Sequence, residues 1–565
     1  MAAKVSKIES VTESAEVFGG IDRSNGTPLG YWQELKGLDF TAYPALRTCK
    51  PFSYTELPDG ITGYMFKNGG IVYTKADGIY IDGKKTAVEL SAGEKRLVGM
   101  GAYILILPDE ALINTADDPI SVTYPTRHEL KGSLYEYNQN QTRPTVAIFK
   151  LLYIDVAKDS AELSYYSEGN QIKIAYSYGG KTKYLTARIK SISEESYTRS
   201  GCVSINLDTS VYNDTLYFYT EGRRMENFRV VCIKNATVSM KIPQMDFIVE
   251  HNNRLWGCSS ADHEIYCSKL GSAVEWGSYD GISTDAWAAT VGSDGDFTGA
   301  CVYANSVLFF KENCVHIVYG TKASNFTVST IKLRGVQSGS GGSLCLSDGL
   351  LYYKAPEGVF CFNGSAAHRI DSKLGGDITD TAVMTADGRY IVMAAADGTV
   401  YFYDKRYAAW YERRLSGVCS AHEINGRLYA VAKGNSGKLT VIRLVGTDSD
   451  AKKQAENSFE AVSGDIGRGK VFNIYKKLRA AVRYSRKNNE VPVLSLYVSG
   501  DGGEWKKAAE YNSAESKSEE ITAAPIIPLR CKTVRIKISG KTSGDAYAVL
   551  YGVYLDSEKG SEISG

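Results

Sequence analysis

GIVYTKADGIYIDG, from Gly70 to Gly83, contains two short runs of alternating apolar character joined by Asp77-Gly78. A period of two is that of a strand with one buried face. Asp-Gly supplies the positive φ that a two-residue hairpin connection requires. The stretch therefore reads as a β-hairpin. Six more passages share its layout: YILILPDEALINT (Tyr103 to Thr115), RLWGCSSADHEIYCSKL (Arg254 to Leu270), VLFFKENCVHIVYG (Val307 to Gly320), LLYYKAPEGVFCFNG (Leu350 to Gly364), YIVMAAADGTVYFYD (Tyr390 to Asp404) and RLYAVAKGNSGKLTVIRL (Arg427 to Leu444). The turns Glu357-Gly358 and Asp397-Gly398 repeat the glycine chemistry. The last five passages recur every roughly 35 to 55 residues, the range expected when each repeat is one four-stranded blade. A single blade is a marginal sheet, whereas radial stacking buries both faces and hides most strand edges. The expected fold class is all-β, a six- or seven-bladed β-propeller from about Gly60 to Val445. Separate β-sandwiches are the competing architecture, but the hairpins lack the Cys and Trp spacing of immunoglobulin-like domains.

Composition agrees with this. The 565 residues include 55 Gly and 39 Tyr but only 13 Pro, a mixture suited to aromatic strands and tight turns. With 65 basic and 64 acidic side chains the net charge is +1, which argues against a polyelectrolyte that works chiefly on DNA or anionic lipid. MAAKVSKIESVTESAEVF lacks the apolar core of a secretory signal, and no run of 18 apolar residues occurs, so no membrane segment is expected. The 11 cysteines are scattered singly. In strand-like text they are expected as small buried hydrophobes, with synthesis in a reducing cytoplasm.

The repeats are interrupted. Residues 121–243 carry strands of their own (QIKIAYSY, KYLTARIKSI, VSINLD, LYFYTEG) and read as an inserted small β-domain. Residues 56–120 and 244–447 are then the two parts of the propeller. Residues 1–55 show weak periodicity and read as an extended N-terminal arm laid over another surface. GTDSDAKKQAENS is a linker composition, and 448–565 read as a C-terminal β-sandwich or jelly roll. Its first strand is basic, with eight Lys and Arg and no acid from Arg468 to Lys487. Lys477, Arg479 and Arg483 are expected on a solvated face opposite Leu478, Ala480 and Val482.

No catalytic constellation is legible. A phosphate loop requires glycine five residues before its Gly-Lys-Thr, but Gly180-Lys181-Thr182 is preceded there by Ala175 and Gly540-Lys541-Thr542 by Arg535. There is no CxxC, HExxH or GxSxG, and the histidines at 128, 251, 263, 316, 368 and 422 are dispersed. His251, Cys258, His263 and Cys267 lie along two strands and are read as structural. Asp294 and Asp296 in GSDGDFTG read as an Asp-Gly turn rather than a calcium loop. VSGDGGEW approximates the aspartate box of sialidases at Ser499, Asp501, Gly503 and Trp505, a turn that stabilises folds rather than one that catalyses. No catalytic, cofactor-binding or metal site is assigned, and the chain is not expected to be an enzyme.

From Arg254 to Glu412 the sequence resembles a family of virion proteins encoded by tailed bacteriophages, particularly those of Firmicutes. The residues that carry this are RLWG (Arg254 to Gly257), EIYCSKLG (Glu264 to Gly271), FTG (Phe297 to Gly299), FFKEN (Phe309 to Asn313) with His316, YG at Tyr319, SNF (Ser324 to Phe326), LRGVQSGS (Leu333 to Ser340), LLYYKAPEGVFCFNG and YFYDKRYAAWYE, with FGGIDRS and YPALR nearer the start. The resemblance extends over most of the chain. It implies a structural component of the virion, belonging to the tail or head-to-tail passage and made in the host cytoplasm. The implied role is a tail nozzle or connector subunit forming a hexameric ring around the DNA exit path. Other tail, portal or adaptor proteins and non-specific contact with packaged DNA are the partners implied. One departure is the lack of a strongly charged domain to line such a channel.

The alternative function is host recognition at the tail tip, with glycan bound on Tyr352, Tyr353, Tyr401 and Trp410. Strand alternation alone favours those four as blade core.

Overall fold

The computed structural model describes residues 10–139, 150–166, 168, 170–178, 181–197, 199–207, 228–240, 242–277, 282–448, 451–467, 471–485, 492–512, 520–521 and 524–559. The chain is all-β; beyond strands, the described residues include only five short 3-10 turns as helical elements. It forms a β-propeller with seven four-stranded antiparallel blades. Each of the seven hairpins quoted above is the central pair of one blade, so the count settles at seven. Two compact units divide the chain: Gly60–Lys332, and Met1–Asp59 with Leu333–Gly565.

Within Gly60–Lys332, the blades start at Gly63–Lys67, Arg96–Met100, Phe247–His251 and Gly299–Tyr303, and these first strands touch in sequence order. Apolar layers fill the spaces between blades. Val72 and Ile79 pack with Ile104, Ile106 and Ile113. Val98 and Leu105 pack with Leu255 and Tyr266. Trp256 and Ile265 pack with Val307 and Phe309. Burying each such side chain contributes about 1.5–3 kcal/mol. Between the second and third blades the strands from Glu129–Gln139 to Phe228–Met240 close a six-stranded barrel with its own core. The second blade keeps Ser121–Thr123 as its outer strand, so the insertion begins a few residues later than its composition implied. LYFYTEG lies outside the described residues.

Lysines ending FFK and YYK fasten blades to the incoming loops. Lys311 donates to Ser293 O at 2.7 Å and Lys354 to Gln337 Oε1 at 2.7 Å, and both are buried. Burial pushes Lys354 down to about 8. His316, beside Lys311, bonds Ser293 Oγ at 2.7 Å and Thr330 Oγ1 at 2.9 Å. Burial, helped by the Lys311 ammonium, pushes His316 from 6.5 to about 4. The unfolded chain therefore binds a proton that the folded chain refuses. The stability this group contributes is complete above pH 6.5 and is lost as pH falls toward 4, up to roughly 3 kcal/mol. Urea titrations at stepped pH are expected to show that loss, and His316→Gln to flatten it. An unchanged slope in the variant would exclude His316 as its source.

In the other unit the blades start at Cys345–Ser347, Ala382–Ala386 and Val418–Ile424. The last is completed by Ser53–Glu56, which pairs with Leu439–Arg443. Residues 10–55 are therefore not an arm laid on a surface, and residues 1–9 of that reading lie outside the described residues. Ser10–Ala15 pairs with Tyr547–Lys559, and Trp32–Lys36 runs between the blade strand Ala409–Arg414 and Glu456–Ser463. Leu38–Asp39 and Leu46–Thr48 join the sheet of Tyr547–Lys559. Trp32 is fully buried.

The C-terminal region has two sheets. One continues the sixth blade through Trp32–Lys36 into Glu456–Ser463, Val534–Ser543, Val493–Gly500 and Lys506–Asn512. The other centres on Asn473–Ser485 and Tyr547–Lys559. Leu478, Ala480 and Val482 of the second share a core with Leu494, Leu496, Ile536 and Ile538 of the first. Opposite them Arg479 pairs with Asp556 at 3.0 Å and Lys476 with Glu558. The basic strand face is thus partly neutralised by its neighbour.

Among the eleven cysteines, Cys49, Cys258, Cys267, Cys314 and Cys531 are buried, four are half-buried, and Cys232 and Cys419 are exposed. The buried-hydrophobe reading holds for the first five.

Candidate functional site

Adjacent blades at Phe247–His251 and Gly299–Tyr303 each turn into their second strand through two residues in the left-handed region. These are Asn252 (φ 52°) with Asn253 (φ 57°), and Ala304 (φ 46°) with Asn305 (φ 61°). Positive φ at both central positions defines the turn whose twist matches paired strands. Asn252 and Asn305 line one cleft of about 260 Å³ together with Arg254, Trp256, Lys322 and Phe326.

Three segments of the resemblance build this cleft. In RLWG, Arg254 is buried and donates to Ser268 O at 2.8 Å, Asp285 O at 2.5 Å and Ser283 O at 2.9 Å. One guanidinium thereby donates to three carbonyls of a loop whose described residues belong to no strand. Trp256 meets Phe326 edge-on at 4.9 Å, and Trp287 lies 5.9 Å from Phe326. In SNF, the Asn325 side chain accepts from Thr321 N and Lys322 N, both at 3.0 Å. Gly320 has φ 123°, and a Cβ there would lie 2.6 Å from Asn325 O. The glycine of YG thus makes room for the turn that delivers Phe326.

The rim is apolar. Leu270 is 43% exposed, Ile282 54% and Tyr319 45%. Leu270 is a lining residue, Ile282 precedes the lining residue Ser283, and Tyr319 precedes Gly320. Exposed apolar surface beside a cleft is what an interaction surface offers, whereas single exposed apolar residues elsewhere are ordinary. The arrangement suits docking: Arg254 is committed to carbonyls, and His251 Nε2 lies 3.0 Å from Asn252 Nδ2. The loop KLGSAVEWGSYDGIS breaks strand alternation, and that break was the available sequence signal for the rim.

No family model matches the chain, and no curated protein sequence matches it. Among solved structures the chain is similar to BamB from Moraxella catarrhalis, at 12% identity over 70% of this chain and 99% of that one, with a TM-score of 0.33. It is similar to Sqt1 from Saccharomyces cerevisiae at 10% identity, with the same coverage and a TM-score of 0.34. Superpositions this loose add nothing to the seven sheets, on which the propeller stands.

The other residues singled out in the sequence are dispersed. Tyr352, Tyr353, Tyr401 and Trp410 are all buried, between 0% and 8% exposed, so they are blade core and cannot serve as glycan platforms. Cys258 faces Ile265 and Cys267 faces Trp256 across their ladder. Among the described residues no three His, Cys, Asp or Glu converge as metal ligands do. Asp294 and Asp296 are exposed around Gly295 (φ 81°). Asp501 accepts from Lys532 N and Thr533 N at 2.9 Å each, and Ser499 Oγ donates to Gly503 O. The box-like turn thus fastens a neighbouring loop. Lys181 and Thr182 start a hairpin strand, while Gly540 sits inside a ladder where a Cβ would lie 2.0 Å from Val493 O.

Proposed function

We propose that this chain is a structural component of a tailed-phage virion, a nozzle or connector subunit that assembles into a ring around the DNA exit path. The observation that supports it most is the exposure of Leu270, Ile282 and Tyr319, in or next in sequence to the lining of a cleft walled by RLWG, YG and SNF. A patch of this kind, docking on a different surface of an identical neighbour, makes a heterologous contact, and such contacts generate a ring when the rotation between neighbours closes. Six copies follow from the phage resemblance, as do a tail location and portal or adaptor partners. The described residues contain no helix long and apolar enough to cross a membrane. Burial of Tyr352, Tyr353, Tyr401 and Trp410 leaves the glycan-recognition alternative without its aromatic platforms.

The test is particle size by light scattering, combined with electron microscopy of the purified chain. Closed sixfold rings are expected for the wild type. Leu270→Asp combined with Tyr319→Asp is expected to yield folded monomers, because two charges would have to be desolvated at every contact. A monomeric wild type, or rings indifferent to the double substitution, would sink the proposal.

A further inference from the structure

Three segments far apart in sequence, Asp39 to Lys50, Arg389 to Arg413 and Leu444 to Gly446, line a cavity of about 330 Å³ within the unit that contains both chain ends. Its charges do not balance. Arg413 is 7% exposed, and among the described residues its one hydrogen bond is a long one, Nη2 to Asn457 Oδ1 at 3.5 Å. Its Cζ lies 3.3 Å from the centroid of the Phe52 ring, which covers the face of the guanidinium and leaves most of its donors to the edges. Arg47 stacks over Tyr547 at 3.9 Å, and its Nε is buried with no acceptor. Among the described residues no carboxylate lies within ion-pair distance of either arginine. Arg389 is already matched by the buried Asp404, at 2.9 and 2.7 Å. Asp39 is the one acidic lining residue, and it accepts from Thr41 N at 2.9 Å and from Thr41 Oγ1. Burial raises Asp39 toward its neutral form, and the Thr41 donors with the charges of Arg47 and Arg413 oppose that rise only in part, so one carboxyl does not offset the positive groups. Lys50 adds a further positive charge.

A guanidinium removed from water with unfilled donors costs several kcal/mol unless an anion meets it. Arginine's planar fork matches the paired oxygens of phosphate and carboxylate. We propose that this cavity binds an oxyanion, a phosphate or carboxylate group held by Arg413 and Arg47. The ring-assembly reading is independent of it, since the docking rim lies on the other unit.

The test is equilibrium dialysis of the full chain at constant ionic strength, against labelled inorganic phosphate and, separately, labelled succinate. One anion bound per chain is expected, and the anion that displaces the other identifies the natural chemistry. Arg413→Met is expected to weaken binding by about tenfold or more, the loss of one charged hydrogen-bond donor set. Arg483→Met, on an exposed strand face, should leave the isotherm unchanged. Should Arg413→Met fail to fold, Arg47→Met takes its place. Binding of neither anion by the wild type, or binding unmoved by the cavity substitutions, would overturn the proposal.

Discussion

Lys95→Met is expected to destabilise the unit Gly60–Lys332 by about 3–5 kcal/mol, the range for stranding a buried charge. Lys95 Nζ lies 2.7 Å from Asp109 Oδ2, with side-chain exposures of 0% and 4%. The lysine also donates to Ser91 Oγ at 2.8 Å, and Ser91 N donates to Asp109 Oδ1 at 2.7 Å. The backbone N of Lys95 bonds Thr62 O at 2.7 Å, so the pair joins the loop between the first two blades to a hairpin turn of the second. Burial alone would raise the Asp109 carboxyl; Lys95 and the Ser91 donors outweigh it and hold it below its usual range. A carboxylate depressed in the folded state stabilises above its ordinary value and loses that contribution as pH falls through the folded one. The lysine substitution should therefore hurt most at neutral pH and least in acid, where Asp109 takes up a proton. Lys95→Met with Asp109→Leu should recover much of the loss, because two apolar groups leave nothing stranded. Amide hydrogen exchange in Tyr103–Leu107 reads the effect, and a change below about 1 kcal/mol would refute it.

Arg254→Met is expected to cost a similar amount, about 3–5 kcal/mol, since the carbonyls of Ser268, Asp285 and the more exposed Ser283 lose the guanidinium that donates to all three, at about 1–3 kcal/mol each and partly offset by relaxation toward solvent. The first consequence should be local. The loop from Ser268 to Asp285 should become the preferred site of proteolysis while blades one and two stay protected. Arg254→Lys should rescue only partly, because a single ammonium cannot present the fork that reaches Ser268, Ser283 and Asp285 together. A loop as protease-resistant in Arg254→Met as in the wild type would show that the guanidinium does not hold it. The same substitution should disturb the apolar rim, because Leu270 and Ile282 are carried on that loop, and ring formation would fall with it.

The blades were legible because a hairpin is a local object. Its period of two and its turn residues sit within about 15 residues, and all seven quoted passages became central pairs. Even there, one glycine has a different reason from the one expected. Gly78 and Gly398 have positive φ, but Gly358 is needed because a Cβ would lie 2.3 Å from Asp371 Oδ2. That carboxylate is held by Arg369 at 2.8 Å, a contact no turn rule contains.

The strands within residues 10–55 leave little trace in the sequence for the complementary reason. Their strands are short, and their partners lie hundreds of residues away: Ser10 opposite Glu558, Trp32 opposite Ser463, Tyr54 opposite Ile442. A strand whose ladder is supplied by the far end of the chain shows little periodicity of its own. The same distance hid the arginine cavity, where Arg47 and Arg413 meet only because Leu46–Thr48 and Ala409–Arg414 are brought together in the fold.

By itself, the sequence determined the central strands of the blades, their hairpin turns, the repeat and the presence of the insertion, because each depends on interactions between near neighbours in the chain. Only the tertiary structure decided which strand completes the seventh blade, which aromatics are core, which rim is exposed and where unmatched charge collects. Those depend on pairings and burial between distant segments, whose energies leave no local pattern to read.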